Sequence, residues 1–265
     1  MYQQHFGLTR LPFQAPDHSA ELFASQDTLE TASRLRHLLD LRGIGLLTGE
    51  PGCGKTSACR RFADSLPDSL YSVAYVRLTT GTVIDTYQAI GWALGLETPR
   101  YRAPACQRIR CEIERLDEAG KLPLLIIDEA HYLRHDVLDE LRLLVNFGLD
   151  SRHLLCLLLV GQSELRRRLA LAHHEALSQR IVMRYQLNGL CREELEPYLR
   201  HGLARAGCEL ELFEPAACQA LFQACHGLPR QLSALAHLAL AAAALDQAST
   251  VSAEHVRRAC EERRP

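Results

Sequence analysis

The octapeptide GEPGCGKT, residues 49–56, constrains the fold more than any other stretch because it matches the pattern G-x-x-x-x-G-K-[ST] completely. A short apolar run, 44–47, precedes it, and a run with helical periodicity, 56–66, follows it. Its three glycines let the backbone curl so that successive N–H groups point at phosphate oxygens in front of a helix N-terminus. The octapeptide therefore predicts a phosphate-binding loop between a strand and a helix, rather than a plain turn rich in glycine and proline.

Two side chains of this loop carry chemistry of their own. Lys55 is expected to reach the β- and γ-phosphates of a nucleotide, and Thr56 is expected to offer its hydroxyl to Mg²⁺. The residues predicted to bind the nucleotide through this segment are Gly49, Glu50, Pro51, Gly52, Cys53, Gly54, Lys55, Thr56 and Ser57.

Strand-like and helix-like runs alternate through the first part of the chain. Strands are predicted at 44–47, 71–78, 122–129, 154–160 and 181–187, and helices at 27–41, 56–66, 83–94, 106–119, 136–147 and 163–172. This alternation predicts an α/β fold with a doubly wound, mostly parallel five-stranded sheet. Helical segments at 192–206, 215–225, 229–245 and 253–262 predict an all-α lid, so the expected division is an irregular arm at 1–26, an α/β nucleotide-binding domain at 27–189 and a lid at 190–265.

Charge and cysteine usage narrow the class of protein. A formal net charge of −2 argues against wholesale electrostatic capture of nucleic acid, although it leaves room for a local basic patch. The 10 cysteines form no C-x-x-C pair, so buried thiols in a reducing compartment are expected rather than a zinc or disulfide framework. We find no signal-peptide pattern and no apolar run long enough to span a bilayer, so a soluble cytoplasmic protein is expected.

A buried strand that ends in two carboxylates supplies what the phosphate loop lacks. The run LPLLIIDE, residues 122–129, ends in Asp128, which is expected to hold a water of the Mg²⁺ shell, and Glu129, which is expected to orient the water that attacks the γ-phosphate. The letters DEAH, residues 128–131, also spell a helicase motif. We discount that reading because the chain has neither a second recombinase-like core nor an arginine-rich Q-x-x-G-R-x-G-R run.

Four further residues stand where a phosphoryl-transfer site needs polar or positive groups. Gln162 follows the fourth strand, where it either faces the γ-phosphate or caps a helix. Arg180 and Arg184 lie at the last strand, and Arg230 begins a lid helix. An arginine can stabilise the charge of a transferring phosphoryl group from the same chain or from a neighbour, although a surface ion pair is the commoner role for any one arginine.

Several motifs together resemble the AAA+ ATPases of the ExeA type: GEPGCGKT, LLIIDEAH, LLLVGQSELRRRL, LSQRIVMRYQL, HGLPRQLSALAHLAL and the opening FGL…PF. The resemblance spans roughly residues 1–262, and the family groups a general-secretion ATPase with transposition helpers akin to TniB, TnsC and IstB. It implies ATP and Mg²⁺ as cofactors, Walker A at 49–56, Walker B at Asp128 and Glu129, and sensor residues Gln162 and Arg230. It also suggests Arg180 as an arginine finger acting on a neighbouring subunit, with Arg184 as the alternative. Many AAA+ proteins carry Asn or Thr where this chain has Gln162.

The first functional hypothesis is an ATPase that forms a ring or helical filament on double-stranded DNA and regulates a transposase. It needs arginines that face phosphates, for which we expect Arg77, Arg100, Arg102, Arg108 and Arg110. The run Arg166 to Arg168 is a second option, or simply a solvated helix face.

Two other classes stay open. Secretion ATPases of this family drive assembly of an envelope complex and carry a transmembrane segment and a wall-binding part, which these 265 residues do not contain, so we expect the transposition branch and no membrane contact. The third class is a nucleotide-controlled switch that binds a protein partner and scarcely turns over, against which the intact Glu129 argues.

Overall fold

A five-stranded parallel sheet forms the centre of the α/β part in the computed structural model, which describes residues 2–14, 16, 18–77, 81–147 and 153–263. The strands are β1 Ile44–Gly49, β2 Tyr71–Arg77, β3 Leu122–Asp128, β4 Cys156–Gly161 and β5 Ile181–Leu187. Their order across the sheet is β2-β3-β4-β1-β5. The predicted doubly wound sheet is confirmed, and the predicted last residue of the second strand, Leu78, lies outside the described residues.

Burial follows the position of each strand in the sheet. Every residue of β1, β3 and β4 is buried, as expected for central strands of a parallel sheet that is covered on both faces. The two edge strands, β2 and β5, alternate between buried and exposed residues along most of their length. Because the strands are parallel, all five carboxyl ends lie along one edge of the sheet, and the loops that follow them meet there.

Twelve α-helices are assigned in the described residues, and none of them is both long and apolar enough to cross a membrane. They are α1 Tyr2–His5, α2 Gln26–Leu41, α3 Lys55–Asp64, α4 Val83–Ala93, α5 Arg102–Glu118, α6 His135–Leu144, α7 Ser163–Leu169, α8 Glu175–Ser178, α9 Arg192–Arg205, α10 Pro215–Cys225, α11 Pro229–Leu245 and α12 Ala253–Glu262. Short 3₁₀ helices lie at Ser19–Glu21, Ala130–Tyr132 and Ala172–His174.

Helices α6 and α7 end three residues earlier than predicted, at Leu144 and Leu169, and two further predictions were wrong by a full helical turn. Helix α5 begins at Arg102 rather than at Cys106, so Pro104 lies in its first turn, where the missing N–H of proline costs no intrahelical hydrogen bond. The opening segment, expected to be irregular throughout, contains the single turn of α1. In both cases, prolines and glycines nearby were given more weight as helix breakers than their positions justify.

Contacts between residues divide the chain into two compact units. The helical unit comprises the described residues of Met1–Leu29, Pro51–Gly54 and Asn188–Pro265, and the sheet unit comprises those of Glu30–Glu50 and Lys55–Leu187. The three-part division at 26/27 and 189/190 stays a prediction.

Each unit has an apolar core of its own. In the helical unit, Phe6 and Phe13 pack against the core of α9 to α12. The ring of Phe13 stacks at 6.5 Å from that of Tyr198, and Tyr2 Oη lies 2.6 Å from His237 Nδ1. In the sheet unit, the core joins the sheet to helices such as α4, α5 and α6 and includes the fully buried Tyr87. These aromatic contacts anchor the N-terminal segment to the helical unit.

Candidate nucleotide-binding site

The phosphate loop runs from the end of β1 to the start of α3. Gly52 and Gly54 have φ angles of +84° and +105°, a region that side chains other than glycine rarely adopt. The buried Lys55 donates from Nζ to the carbonyl oxygens of Gly49, at 2.8 Å, and Glu50, at 2.9 Å. The lysine is therefore held against the backbone of its own loop, at the carboxyl edge of the sheet.

Thr56 and Asp128 come together across the carboxyl edge, although 72 positions separate them. The Thr56 hydroxyl donates to Asp128 Oδ2 at 2.7 Å, and Asp128 is only 2% exposed. Adjacent oxygen ligands on an octahedral Mg²⁺, each at about 2.1 Å, lie roughly 3 Å apart. The 2.7 Å separation therefore places both oxygens beside one Mg²⁺ coordination shell, as the sequence predicts.

Tyr75 is a member of this site that the sequence did not reveal. Its hydroxyl donates to the same Asp128 Oδ2 at 2.7 Å, while Asp128 Oδ1 accepts the backbone N–H of Glu129 at 2.8 Å. Partial burial and the bond to Asp128 raise the pKa of Tyr75, so it stays a donor. Side chains alternate between the two faces of a strand, so Tyr75 and Arg77 share one face of β2, and Arg77 pairs in register with Asp128. This alternation is the sequence signal that could have placed Tyr75 near Asp128.

Glu129 stands in a left-handed backbone conformation, φ +58° and ψ +31°, directly after β3. Non-glycine residues adopt this region rarely, and such strain is concentrated at functional sites. Its two carboxylate oxygens lie 3.7 Å from Arg77 Nη2 and 3.5 Å from His131 Nδ1. The predicted base is therefore flanked by one arginine from the neighbouring edge strand and one buried imidazole.

His131 links the predicted base to the predicted sensor. Its Nδ1 accepts the backbone N–H of Gln162 at 3.4 Å and lies near Glu129, while its Nε2 is buried without a partner among the described residues. Burial lowers the pKa of His131, which keeps the ring neutral. His131, the histidine of DEAH, thus lies between Glu129 after β3 and Gln162 after β4.

Gln162 is the N-cap residue of α7, and its side chain makes no capping hydrogen bond. Beside it, Ser163 donates to Glu50 Oε1 at 2.9 Å, which joins the start of α7 to the end of β1. Ser57 is exposed in the first turn of α3, and Cys53 is buried in the loop. Gln162 therefore lies at the carboxyl edge of the sheet, and its side chain does not cap α7.

Arg168 is a second residue that sequence reasoning missed. Together with its neighbours it was expected either to bind DNA or to face solvent. Its guanidinium donates to the backbone carbonyls of His131 and, at 2.6 Å, of Leu133. It therefore supports the segment that follows Glu129, whereas Arg166 donates to Gln186 at 3.4 Å and Arg167 is exposed.

Within the helical unit, the tip of the phosphate loop lies against the first turn of α11. The backbone N–H of Arg230 donates to Gly52 O at 3.3 Å, and a Cβ at position 52 would lie 2.8 Å from Arg230 Cβ. A glycine is needed at position 52 both for its φ angle and for this close approach. The side chain of Arg230, the predicted sensor-two residue, is exposed.

The two candidate arginine fingers lie at or near the opposite edge of the sheet, where the strands begin. Arg180 immediately precedes β5 and donates to the side-chain oxygen of Asn146. Arg184 folds back onto Ile181 O at 3.1 Å and Ser178 Oγ at 3.1 Å. Strand β1 has six residues, so Arg180 and the phosphate loop are about 20 Å apart along the strands at 3.3 Å per residue.

The five arginines expected to bind DNA divide into two groups. Arg102 pairs with Glu140, and Arg110 donates to Leu143 O at 3.2 Å and Asn146 O at 2.6 Å, so both have structural partners; Arg77 is the neighbour of Glu129 described above. Arg100 and Arg108 are exposed, and neither donates a hydrogen bond to another described residue. The second group is the one with guanidinium groups available to a partner.

Comparison with known proteins places the predicted site residues within a recognised protein family. The family described as an AAA domain matches residues 36–169, which include the phosphate loop, Asp128, Glu129 and Gln162. General secretion pathway protein A of Aeromonas hydrophila is 35% identical over 246 residues, which are 92% of this chain and 45% of that protein. The ATP-dependent target DNA activator B of Escherichia phage Mu is 31% identical over 102 residues, which are 38% of this chain and 30% of that protein.

Solved structures show the fold. Cdc6p from Pyrobaculum aerophilum superposes with a TM-score of 0.72 at 16% identity, covering 98% of this chain and 70% of that one. The chain spans less than half the length of the curated relatives that it matches. The similarity identifies the nucleotide-binding core of the chain.

Proposed function

Because the chain belongs to the AAA domain family and is a P-loop NTPase of the AAA+ class, we propose that it is a Mg²⁺-dependent ATPase that assembles on double-stranded DNA when ATP is bound. In this proposal the assembled protein is a ring or helical filament that regulates a transposase by selecting its target site or by activating it. Hydrolysis of ATP to ADP and phosphate disassembles the oligomer. Its cytoplasmic location stays a prediction.

The observation that carries the ATPase part is the convergence of Thr56, Asp128 and Glu129 at one edge of the sheet. Lys55 would neutralise charge on the β- and γ-phosphates, and Glu129 would orient and deprotonate the attacking water. Thr56 and Asp128 would hold Mg²⁺, which spreads the charge of the transferring phosphoryl group when it is bound.

The remaining roles in this proposal are positional. Gln162 would contact the γ-phosphate from the end of β4, and Arg230 of the helical unit would contact the nucleotide as the second sensor. Arg180 would reach the nucleotide of a neighbouring copy, since Arg180 and its own loop lie at opposite edges of one sheet. Such a contact between unlike surfaces of successive copies generates a ring or a helical filament.

The DNA part rests on Arg100 and Arg108. Both guanidinium groups are exposed near the start of α5, and among the described residues neither is engaged in a hydrogen bond. Phosphate contacts by arginine supply sequence-independent affinity for duplex DNA. The name of the phage Mu relative, a target DNA activator, supports the same assignment.

A second candidate is an ATPase that drives assembly of an envelope complex. Its support is the similarity to General secretion pathway protein A, which extends over 92% of this chain, against 38% for the phage protein. Both candidates use the same nucleotide site, so they differ only in what the assembled protein binds.

Binding of duplex DNA across a salt series, with an ATP analogue, ADP or no nucleotide, separates the two candidates. We expect assembly only with the analogue, visible by electron microscopy, with an affinity that falls steeply as salt rises. The double variant Arg100→Ala/Arg108→Ala should reduce the slope of log K against log salt by about 2, while Arg36→Ala, an exposed arginine on α2, should not. Oligomers that form with the ATP analogue but do not bind DNA would favour the role in envelope-complex assembly.

A further inference from the structure

Three imidazoles converge in the sheet unit, away from the residues assigned to the nucleotide. His135 is the first residue of α6, and His173 and His174 end the 3₁₀ helix Ala172–His174. His135 Nδ1 lies 2.7 Å from His174 Nε2 and 3.0 Å from His173 Nε2. His135 and His173 are exposed, whereas His174 is 1% exposed, so the cluster is open on one side and closed on the other.

Hydrogen bonds among the rings cannot satisfy this arrangement. One imidazole nitrogen has either one proton or one lone pair, so His135 Nδ1 can serve only one of its two neighbours at a time. His174 Nδ1 is also buried without a partner in the described part of the chain. The cluster therefore contains nitrogens, among them the buried His174 Nδ1, that hydrogen bonds between its own rings leave unsatisfied.

The spacing suits a small divalent cation. One nitrogen from each ring lies within 4.8 Å of the others, and the two shorter separations are 2.7 and 3.0 Å. Ligands of a tetrahedral Zn²⁺ at about 2.1 Å lie roughly 3.4 Å from one another. The observed separations bracket this value, so rotations of the rings suffice to place all three nitrogens on one ion.

Charged side chains of both signs lie near the cluster. Asp139, four residues after His135 on α6, contributes negative charge near His174, and Arg168 opposes it.

We propose that His135, His173 and His174 form a binding site for a divalent transition-metal ion, with Zn²⁺ as the ion that best fits three nitrogen ligands. Imidazole ligands suit Zn²⁺, and three protein ligands leave a fourth position for water or another donor. The ion joins the start of α6 to the segment that continues through α8 to Arg180. Metal binding therefore stabilises the part of the fold that positions the predicted finger.

Calorimetric titration of the full chain with Zn²⁺ tests the site, without an affinity tag and without nucleotide. We expect about one tight site per chain and a rise in Tm of about 5–10 °C at a hundredfold excess of free Zn²⁺ over Kd. The variant His135→Ala/His173→Ala alters two exposed side chains, so it should fold and lose both effects. His37→Ala, an exposed histidine on α2, should retain both.

Co²⁺ identifies the ligands, which matters because the chain has 10 cysteines. A nitrogen site gives weak visible d–d bands and no intense thiolate charge-transfer band. Unchanged Zn²⁺ binding in the double variant, or a thiolate band with Co²⁺, would overturn the proposal. Failure to bind Zn²⁺ with an intact fold would overturn it as well, and none of these outcomes bears on ATP hydrolysis.

Discussion

The two edges of the parallel sheet differ in chemistry. The carboxyl edge holds a buried lysine, two carboxylates and the Thr56 hydroxyl, which lies 2.7 Å from Asp128. At the opposite edge, Arg180 lies near Arg42 and Asn146 beside a cavity of about 210 Å³. The first edge carries the groups that we propose bind the nucleotide and activate water, while the cavity at the other edge is lined by positive charge and, among the described residues, by no carboxylate.

With Arg180 as the proposed finger, the difference means that one copy of the sheet unit does not bring all the proposed groups for phosphoryl transfer to one edge. Of the arginines near the carboxyl edge, Arg77 is the one that pairs with the predicted base in the described residues: it is 3.7 Å from Glu129 and 66% exposed. About 20 Å of β-strand separates Arg180 from the phosphate loop. A neighbouring copy can close that gap, which a rearrangement within one sheet cannot.

The largest effect is expected from Arg180→Ala. Loss of a finger that stabilises transition-state charge should lower kcat by about 10³-fold or more, while nucleotide affinity of the isolated chain stays unchanged. Steady-state hydrolysis and equilibrium nucleotide binding measure the two quantities separately.

Arg184→Ala is the matched control, because Arg184 also lies near that edge and contacts only Ile181 and Ser178 in the described residues. A larger loss for Arg184→Ala than for Arg180→Ala would exchange the two assignments. Thermal unfolding of both variants checks that the Arg180 bond to Asn146 is not essential for folding.

Glu129→Gln should reduce hydrolysis by about 10²- to 10⁴-fold, because an amide cannot accept the proton of the attacking water. ATP affinity should persist, so the variant should accumulate in the assembled state. Asp136→Asn, in a surface pair with Arg134, provides a carboxylate control that leaves turnover intact. Normal turnover in Glu129→Gln would remove Glu129 from the role of base.

Lys55→Ala should weaken ATP binding by about 100-fold, since the ammonium group is the buried positive charge of the loop. Fluorescent nucleotide titration measures this directly. The other lysine of the sequence, Lys121, supplies the control Lys121→Ala. Unchanged ATP affinity in the Lys55→Ala variant would contradict the assignment of the phosphate loop.

The smallest effect is expected from Arg77→Ala. An exposed ion pair contributes about 0–1 kcal/mol, so freeing Glu129 should raise DNA-independent hydrolysis by up to about fivefold. Arg77→Lys keeps the charge and should preserve the wild-type rate more closely. A fall in hydrolysis on removing Arg77 would show that the arginine assists Glu129 rather than restraining it.

Motif and periodicity predicted the parts of the site that lie in one local stretch. The apolar β3, the parallel sheet and the ExeA-type resemblance are confirmed, because continuous apolar runs and motif spacing are short-range signals. The roles of the phosphate-loop residues, Asp128 and Glu129 stay predictions. The start of α5 was missed because Pro104 suits a first helical turn as well as it suits a loop.

Contacts between distant stretches were beyond the sequence. Tyr75 reaches Asp128 only because β2 and β3 pair in one particular register, and Arg168 reaches the carbonyls after Glu129 only because α7 lies beside that turn. Register and packing depend on the whole core, so a single sequence gives no direct sign of them. The three histidines came together in the same way, from positions 135 and 173–174.

Mixing Arg180→Ala subunits with Lys55→Ala subunits tests most directly whether the two edges complete each other across an interface. Each variant alone should be nearly inactive. An equal mixture that is shown to co-assemble should recover about a quarter of wild-type ATPase activity, because about a quarter of its interfaces pair an intact loop with an intact finger. No recovery in co-assembled mixtures, or normal activity of Arg180→Ala alone, would contradict a shared site.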